Sequence, residues 1–214
     1  MLEVLYSDRS IAVIVKPVGL LSEDGAAGES VCPLIRETLG VSEVYPVHRL
    51  DRAVGGVMVY ALTKKAAAAL SAAIAENKLQ KVYLAAVHGT PEPREGEYID
   101  LLFKDARKNK SFVVTRERKG VKRASLAYET LDSADGLSLV RITLHTGRSH
   151  QIRVQFSSRK MPLVGDGKYG AVDHAKEIAL FSHALTFAHP DGGSEMHFSA
   201  LPSGGVWKCF VNLH

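Results

Sequence analysis

A short charged segment in the first quarter of the chain carries the residue types that carboxylate chemistry needs. It reads His48-Arg49-Leu50-Asp51-Arg52. Two flanking guanidinium groups favour the ionised form of an Asp, so Asp51 can act as a nucleophile or as a base at neutral pH. Gly55 and Gly56 follow, and they permit close approach of a ligand or of another backbone segment. A surface ion pair in a turn explains the same spacing equally well.

A second segment, residues 146–153, reads Thr-Gly-Arg-Ser-His-Gln-Ile-Arg and combines hydroxyl, guanidinium and imidazole groups. We predict a helix over 149–159 after a turn at 146–148. The free amides at a helix start suit phosphate binding. Arg153 lies three residues after His150, which predicts that the two share a helix face. A capped helix with exposed charges is the purely structural alternative.

A third candidate is the tyrosine of Lys81-Val82-Tyr83, at the start of a predicted strand. A tyrosine there is more often a core or cross-strand residue, and Tyr83 becomes functional only if it faces the other two segments. The nine histidines lack zinc-type spacing, so the sequence predicts no metal site.

The elements that must position these residues are many strands with a few helices between them, which predicts a mixed α+β class. Helices are predicted over 32–39, closed by Gly40 in the left-handed conformation, and over 64–76, capped by Thr63. The predicted strands are 2–6, 11–15, 57–62, 82–88, 126–131, 137–145, 181–188 and 196–200.

Composition supports a folded chain of 214 residues with 46% hydrophobic and 23% charged residues. Disorder is excluded because it requires low hydrophobicity and high net charge. The apolar runs fall far short of the roughly 18–20 residues of a spanning helix, so no membrane association is expected. Cys32 and Cys209 have no metal-ligand spacing, and we expect reduced thiols and a cytoplasmic protein.

Positive charge is concentrated in residues 104–123. This window holds nine basic and two acidic residues, a net +7, whereas the whole chain carries +4. Local clustering of this kind is typical of a surface that binds a polyanion. A solvated hairpin whose charges only aid solubility fits as well.

The motifs occur together in an order that resembles one known family, the RluA-type pseudouridine synthases. The resemblance covers about residues 10–200. The matching segments are Lys16-Pro17-x-Gly19-Leu20-Leu21-Ser22, His48-Arg49-Leu50-Asp51, Lys81-Val82-Tyr83, residues 146–154, Pro162-Leu163-Val164-Gly165-Asp166 with Tyr169-Gly170, and His183-Ala184-Leu185-x-Phe187-x-His189-Pro190.

The resemblance implies an isomerase that converts uridine in ribosomal or transfer RNA to pseudouridine without cofactor or metal. It implies an α+β fold whose mixed, largely antiparallel sheet is flanked by helices and loops and crossed by an RNA cleft. We expect one catalytic domain over 1–214 that acts as a monomer. The N-terminal RNA-binding module that many members carry is expected to be absent.

The resemblance also assigns roles to individual residues. Asp51 matches the catalytic carboxylate, Tyr83 the tyrosine that packs on the target base, and Arg153 the basic residue that pairs with the Asp. Arg49 matches the position that fills the gap left by an everted nucleotide, and Leu185 an apolar residue lining the base pocket. The remaining predicted RNA contacts are His48, Arg148, His150 and Gln151.

The sequence departs from the family pattern after Asp51, where Val54-Gly55-Gly56 replaces a usual Thr-Ser-Gly run. Gln155 also stands where His is common. We expect altered loop packing with the chemistry retained, because the carboxylate and its partners remain. The alternative hypothesis is an RNA-binding or RNA-folding factor of the same fold that has lost catalysis. A hydrolase using Asp51 would lack the accompanying His or metal groups.

Overall fold

The computed structural model describes residues 2–25 and 28–213, which divide into two compact units. The first unit comprises residues 1–81 and 181–202, and the second comprises residues 82–180 and 203–214. The helices are α1 (Cys32–Leu39), α2 (Lys64–Ala75) and α3 (Gln151–Ser157). The strands are β1 (Glu3–Ser7), β2 (Ile11–Lys16), β3 (Tyr45–Pro46), β4 (Gly55–Ala61), β5 (Gln80–His88), β6 (Glu95–Asp105), β7 (Lys110–Val114), β8 (Val121–Ala134), β9 (Leu137–Leu144), β10 (Leu180–Ala188) and β11 (Glu195–Ser199).

The first unit is built on a mostly antiparallel sheet in the order β1-β2-β4-β10-β11, with β3 also pairing with β4. The β4–β10 pair is parallel, at Phe181 opposite Gly55 and Ser182 opposite Gly56. Every residue of β4 is buried, because strands on both sides and helix α2 cover it. Ala66 and Leu70 of α2 pack on this core, as the 3.6-residue period of the helix predicts.

Both helices of the first unit begin where the sequence predicts; α1 also ends there, and α2 ends at Ala75, one residue before the predicted end. The Thr63 hydroxyl accepts a hydrogen bond from the Ala66 amide at 3.1 Å, which satisfies one of the free donors at the start of α2. Helix α1 ends at Gly40, whose φ of 66° is left-handed and whose amide bonds the carbonyl of Arg36.

The second unit contains an antiparallel sheet in the order β5-β9-β8-β6-β7. One face of β6 and β8 packs against α3 through Leu102, Ala124 and Val154. A separate cluster that includes Leu84, Leu139 and Phe210 covers the other end of the unit. The sheet therefore supplies a rigid support for α3, which carries two of the predicted site residues.

The structure corrects two predictions, the set of strands and the length of the third helix, and it also contains strand β3, which the sequence does not predict. Strands β6 and β7 were not predicted, and β8 begins at Val121 instead of residue 126. The predicted helix over 149–159 is only the seven-residue α3, and the left-handed His150, at φ 53°, accounts for its later start. The basic window 104–123 forms the end of β6, all of β7 and the start of β8, so its charges lie on strands and on the two turns between them.

Two expectations based on composition can be compared with the structure. Within residues 2–25 and 28–213, no helix is long and apolar enough to cross a membrane. Cys32 is buried and Cys209 is exposed, and both are free thiols.

Candidate active site

Asp51 lies in a turn that is fastened on both sides to the segment 19–22. The Asp51 carbonyl accepts the Val54 amide at 2.9 Å, and the next carbonyl, of Arg52, accepts the Gly19 amide at 2.8 Å. On the other side, the Ser22 hydroxyl donates to the Leu50 carbonyl and accepts from the Leu50 amide, at 2.9 and 3.0 Å. These bonds fix the main chain around Asp51 without using its carboxylate.

Lys16 is a fully buried lysine in the same region of the first unit. It is 1% exposed, and its ammonium donates to the carbonyls of Pro17 and Leu20, each at 2.8 Å. Burial lowers the pKa of Lys16 to about 8, and the negative charge of Asp51 opposes that shift. The lysine thus fixes the 17–20 segment and places a positive charge within electrostatic reach of Asp51.

His48 and Arg49 have opposite environments. His48 is 8% exposed, its Nε2 accepts the Val59 amide at 3.2 Å, and within the described part of the chain no partner reaches Nδ1. Burial, with a smaller effect from Lys81, lowers the pKa of His48 to about 3, so the ring is neutral at physiological pH. The Arg49 side chain is 64% exposed and pairs with Glu23 at 2.6 Å.

The glycine pair after Asp51 allows close approach of backbone. Gly56 has φ 119°, and a Cβ there would lie 2.3 Å from the carbonyl oxygen of Ser182 in the paired strand β10. A Cβ on Gly55 would lie 3.1 Å from both the Lys16 carbonyl oxygen and a methyl group of Val18. Position 55, where the family pattern has serine, is therefore a glycine that packs tightly against the Lys16–Val18 segment.

The predicted base-lining residue Leu185 is fully buried in the core of the first unit. It lies there among Ile11, Val57 and Phe187. Its contact with a bound base stays a prediction, as does a direct RNA contact by the buried His48.

The second unit holds Arg153 in a buried polar cluster. Its Nε donates to Asp166 Oδ2 at 2.7 Å and its Nη2 to Oδ1 at 2.8 Å, a bidentate pair with both side chains at most 7% exposed. The guanidinium carbon also lies 5.1 Å from the centre of the Tyr169 ring. Charge-assisted pairs of this geometry fix a guanidinium in one orientation.

Tyr169 joins Arg153 to His150. Its hydroxyl lies 2.9 Å from His150 Nδ1 and accepts the Ser111 amide at 2.8 Å. Burial raises the pKa of Tyr169, so the phenol is neutral. His150 and Arg153 are thus on one side of α3, as their spacing predicts, and both contact the same ring.

Gln151 organises the turn before α3. Its Oε1 accepts the Thr146 hydroxyl at 2.8 Å and the Arg148 amide at 3.0 Å, and its Nε2 donates to the Ser125 carbonyl at 3.0 Å. The expectation of free amides for phosphate at this helix start is therefore wrong for the Arg148 amide, which the Gln151 side chain occupies. The exposed Arg148 guanidinium donates to the Arg123 carbonyl at 3.0 Å.

Tyr83 lies in β5 opposite Ile142 of β9 and is 7% exposed. Four of the predicted site residues lie together around the start of α3: Arg148, His150, Gln151 and Arg153. Tyr83 lies on a strand of the same unit. Asp51, His48, Arg49 and Leu185 belong to the first unit.

Sequence reasoning assigned no role to Asp166 and Tyr169. Both were quoted as family-like motif residues, but their partners lie 13 to 58 positions away in the chain. Lys16 was missed in the same way. A lysine at the end of an otherwise apolar strand, Ile11–Lys16, is the signal that could have drawn attention to it.

Across residues 2–25 and 28–213, no three His, Cys, Asp or Glu side chains cluster as metal ligands would.

Comparisons with known proteins agree with the resemblance seen in the sequence. A model of the RNA pseudouridylate synthase family matches residues 10–158. The chain is 38% identical to "Dual-specificity RNA pseudouridine synthase RluA" of Yersinia pestis over 203 residues, which cover 91% of this chain and 96% of that protein. The namesake from Escherichia coli strain K12 is 38% identical over 207 residues, covering 93% and 92%.

A solved structure gives the same fold. Human RNA Pseudouridylate Synthase Domain Containing 1 superposes with a TM-score of 0.80 at 22% identity, covering 94% of this chain and 84% of that one. The class is thus an α+β RNA-modifying isomerase. The chain belongs to the RNA pseudouridylate synthase family and is an RluA-type member of it.

Proposed function

We propose that this chain isomerises specific uridines in ribosomal or transfer RNA to pseudouridine, with Asp51 as the catalytic carboxylate. It works in the cytoplasm, as one catalytic domain and as a monomer, without metal or cofactor. Relatives named dual-specificity synthases make both RNA classes the substrates to test.

The fixed turn around Asp51 is the observation that carries this proposal. Bonds to Gly19 and Ser22 hold the main chain on both sides of the carboxylate. A reacting group held in one position loses little entropy on reaching the transition state, which favours catalysis. The buried Lys16 ammonium places a positive charge within electrostatic reach of the Asp51 carboxylate.

The reaction breaks the bond between uracil N1 and the sugar C1′, and forms a bond between C5 and C1′. The Asp51 carboxylate either attacks C1′ or removes the 2′ proton, and both routes release uracil. The detached base rotates, C5 bonds to the sugar carbon, and the C5 proton leaves while N1 gains one. Atoms and charge balance without a co-reactant.

Other predicted residues support this chemistry. Tyr83 and Leu185 provide an aromatic and an apolar surface for the base while it is detached. In the second unit Asp166 orients the guanidinium of Arg153, which the family resemblance makes the basic partner of the catalytic carboxylate. A uridine within a stem must be everted at a cost of a few kcal/mol, and Arg49 would fill the vacated space. His48, His150 and Gln151 support RNA binding through the loops they hold, and Arg148 contacts phosphate.

The test is pseudouridine formation in uridine-labelled ribosomal and transfer RNA by wild type, Asp51→Asn and Glu37→Gln. Glu37 is an exposed carboxylate of α1, so its variant controls for loss of one negative charge. We expect product with wild type and Glu37→Gln and none with Asp51→Asn. Absence of product from both RNA classes with wild type would refute the assignment.

The same experiment decides the alternative of an RNA-binding or folding factor without catalysis, which Val54 and Gly55 motivate. That alternative predicts equal RNA binding by wild type and Asp51→Asn, with product from neither.

A further inference from the structure

The outward face of β6, β7 and β8 departs from the usual pattern of a sheet with one solvated side. Such a sheet alternates apolar residues toward the core with polar residues toward water. Here the outward positions at one end are also apolar. We define the hairpin face by these residues: Ile99, Leu101, Phe103, Phe112, Val114 and Val121.

Strand register puts these residues on one surface. Phe103 lies opposite Phe112 on one side and Val121 on the other, and Leu101 lies opposite Val114 and Arg123. The alternate positions, such as Leu102 and Ala124, pack toward α3. Because successive strand residues point to opposite sides, the hairpin face points away from α3.

Parts of this face are open to solvent. Ile99 is 48% exposed and Phe112 is 36% exposed, and the other four residues are half-buried. A contiguous exposed apolar patch on a folded protein usually marks a binding surface.

Cations lie directly beside the two aromatic rings. The guanidinium carbon of Arg118 lies 4.5 Å from the centre of the Phe103 ring. Lys110 Nζ lies 5.8 Å from the centre of the Phe112 ring, and it also lies 4.9 Å from that of Tyr169 and donates to the Lys168 carbonyl at 2.6 Å. Arg123 is exposed on the same face, opposite Leu101. The whole window 104–123 carries +7, which is complementary to a polyanion and repels a basic protein partner.

We propose that the hairpin face binds unpaired nucleotides of the RNA, with bases stacked on Phe112 and Phe103 and phosphates contacted by Arg118, Lys110 and Arg123. Aromatic rings on a sheet with cations beside them are suited to single-stranded nucleic acid, since every base has a face that can stack. This proposal rests on the proposed function for the identity of RNA as the ligand.

Acidic residues limit the proposed RNA-binding surface to one end of the hairpin face. Glu95 lies opposite Glu129, and Glu97 lies next along β6 toward Ile99. These carboxylates repel phosphate, so the bound strand occupies the end near Phe112 and avoids the end near Glu95.

The first experiment measures affinity for a single-stranded uridine oligonucleotide at fixed salt. We expect Phe112→Ala to weaken binding about fivefold or more, as loss of one stacked base predicts. Phe112→Trp restores binding and Phe112→Leu does not, because stacking needs an aromatic ring. Val172→Ala, at a 90% exposed apolar residue of the same unit, is the matched control and keeps wild-type affinity.

A spectroscopic measurement reports the stacking itself. Trp207 is the single tryptophan, so Phe112→Trp combined with Trp207→Phe leaves one indole on the hairpin face. We expect its fluorescence to be quenched by the unpaired oligonucleotide and much less by a duplex of the same sequence.

The outcomes separate this inference from the proposed function. Two results would refute the RNA site on the hairpin face: unchanged RNA affinity of Phe112→Ala, or unchanged indole emission at saturation. If wild type still forms pseudouridine, the enzyme assignment stands. If wild type binds the oligonucleotide through Phe112 but forms no pseudouridine, the enzyme assignment is refuted and the RNA site on the hairpin face stands.

Discussion

Arg153 and Asp166 form a bidentate ion pair in which the guanidinium Nε and Nη2 each donate to one carboxylate oxygen. Both side chains are buried, at 7% and 0% exposed. The orientation of a predicted catalytic arginine is thus set by a carboxylate 13 residues further along the chain. Asp166 is a positioning residue, because it acts through Arg153.

Replacement of Asp166 should therefore harm both stability and activity. Removing one partner of a buried pair costs about 3–5 kcal/mol, since the other charge stays buried without compensation. We expect Asp166→Asn to lower the free energy of unfolding by about this amount in urea titrations. Glu129→Gln, in the half-exposed pair with Arg141, should cost less than about 1 kcal/mol.

A merely structural role for Asp166 would reduce the amount of folded enzyme without changing its chemistry. We expect pseudouridine formation per folded molecule, measured at low temperature, to fall at least tenfold in Asp166→Asn with RNA affinity unchanged. An unchanged rate per folded molecule would contradict the positioning role.

The pH dependence of stability should include a contribution from His48. Burial lowers its pKa in the folded chain to about 3, below the value of 6.5 expected when unfolded. The unfolded chain therefore binds a proton first as pH falls, and stability that is present above pH 6.5 is lost toward pH 3. Between pH 6.5 and 4.5 this loss is about 2 kcal/mol.

The comparison variant is His48→Gln, whose side-chain oxygen can still accept the Val59 amide but cannot titrate. Urea unfolding at pH 7 and pH 4.5 should show a smaller loss of stability for the variant than for wild type. Equal losses for both chains would mean that the His48 ring does not resist protonation.

Gly56 is a glycine at which a side chain should be poorly tolerated. A Cβ there would overlap the Ser182 backbone at 2.3 Å, so Gly56→Ala must separate the paired strands β4 and β10. We expect a loss of more than about 2 kcal/mol in unfolding free energy.

Gly136→Ala separates overlap from backbone strain. Gly136 also has positive φ, at 75°, but a Cβ there meets nothing within 4 Å. Its variant should lose only about 1 kcal/mol, the usual cost of a left-handed alanine. A comparable loss at both positions would show that strain alone, without overlap, controls the cost.

The basic window should control how RNA affinity depends on salt. Reversing the charge of Lys108, Lys110 and Arg118 removes up to three phosphate contacts. We expect weaker binding to single-stranded RNA, with the slope of log affinity against log salt reduced by about 2.

The control reverses three exposed cations of the first unit: Arg9, Lys64 and Lys65. It changes net charge equally but should leave the slope within about 0.5 of wild type. If both triple variants alter the slope equally, the effect is one of overall charge and not of a local site.

Sequence periodicity predicted α1, α2 and most strands because local signals specify them. Gly40 and Thr63 end and begin helices through contacts within a few residues. Strands β6 and β7 were not predicted, because both of their faces carry apolar residues near the basic window. The alternation of apolar and polar residues expected of a half-solvated strand is therefore absent.

The site was predictable only in part. Asp51, Tyr83 and Arg153 could be proposed from their order along the chain. The structure at the start of α3 could not be predicted, because the left-handed backbone of His150 and the hydrogen bonds of the Gln151 side-chain amide determine the turn there. The pairing of Asp166 with Arg153 depends on the tertiary fold, and no local pattern reports it.

The bonds that hold the turn at Asp51 come from main-chain groups and from Ser22, and none comes from the side chains at 54 and 55. Those two side chains are therefore not needed to hold the turn, although a Cβ at position 55 would press on Lys16 and Val18. Valine and glycine can therefore stand where the family pattern has hydroxyl-bearing residues while the main chain at Asp51 stays fixed. Divergence beside a reactive group is, in this molecule, a poor sign that the reaction has been lost.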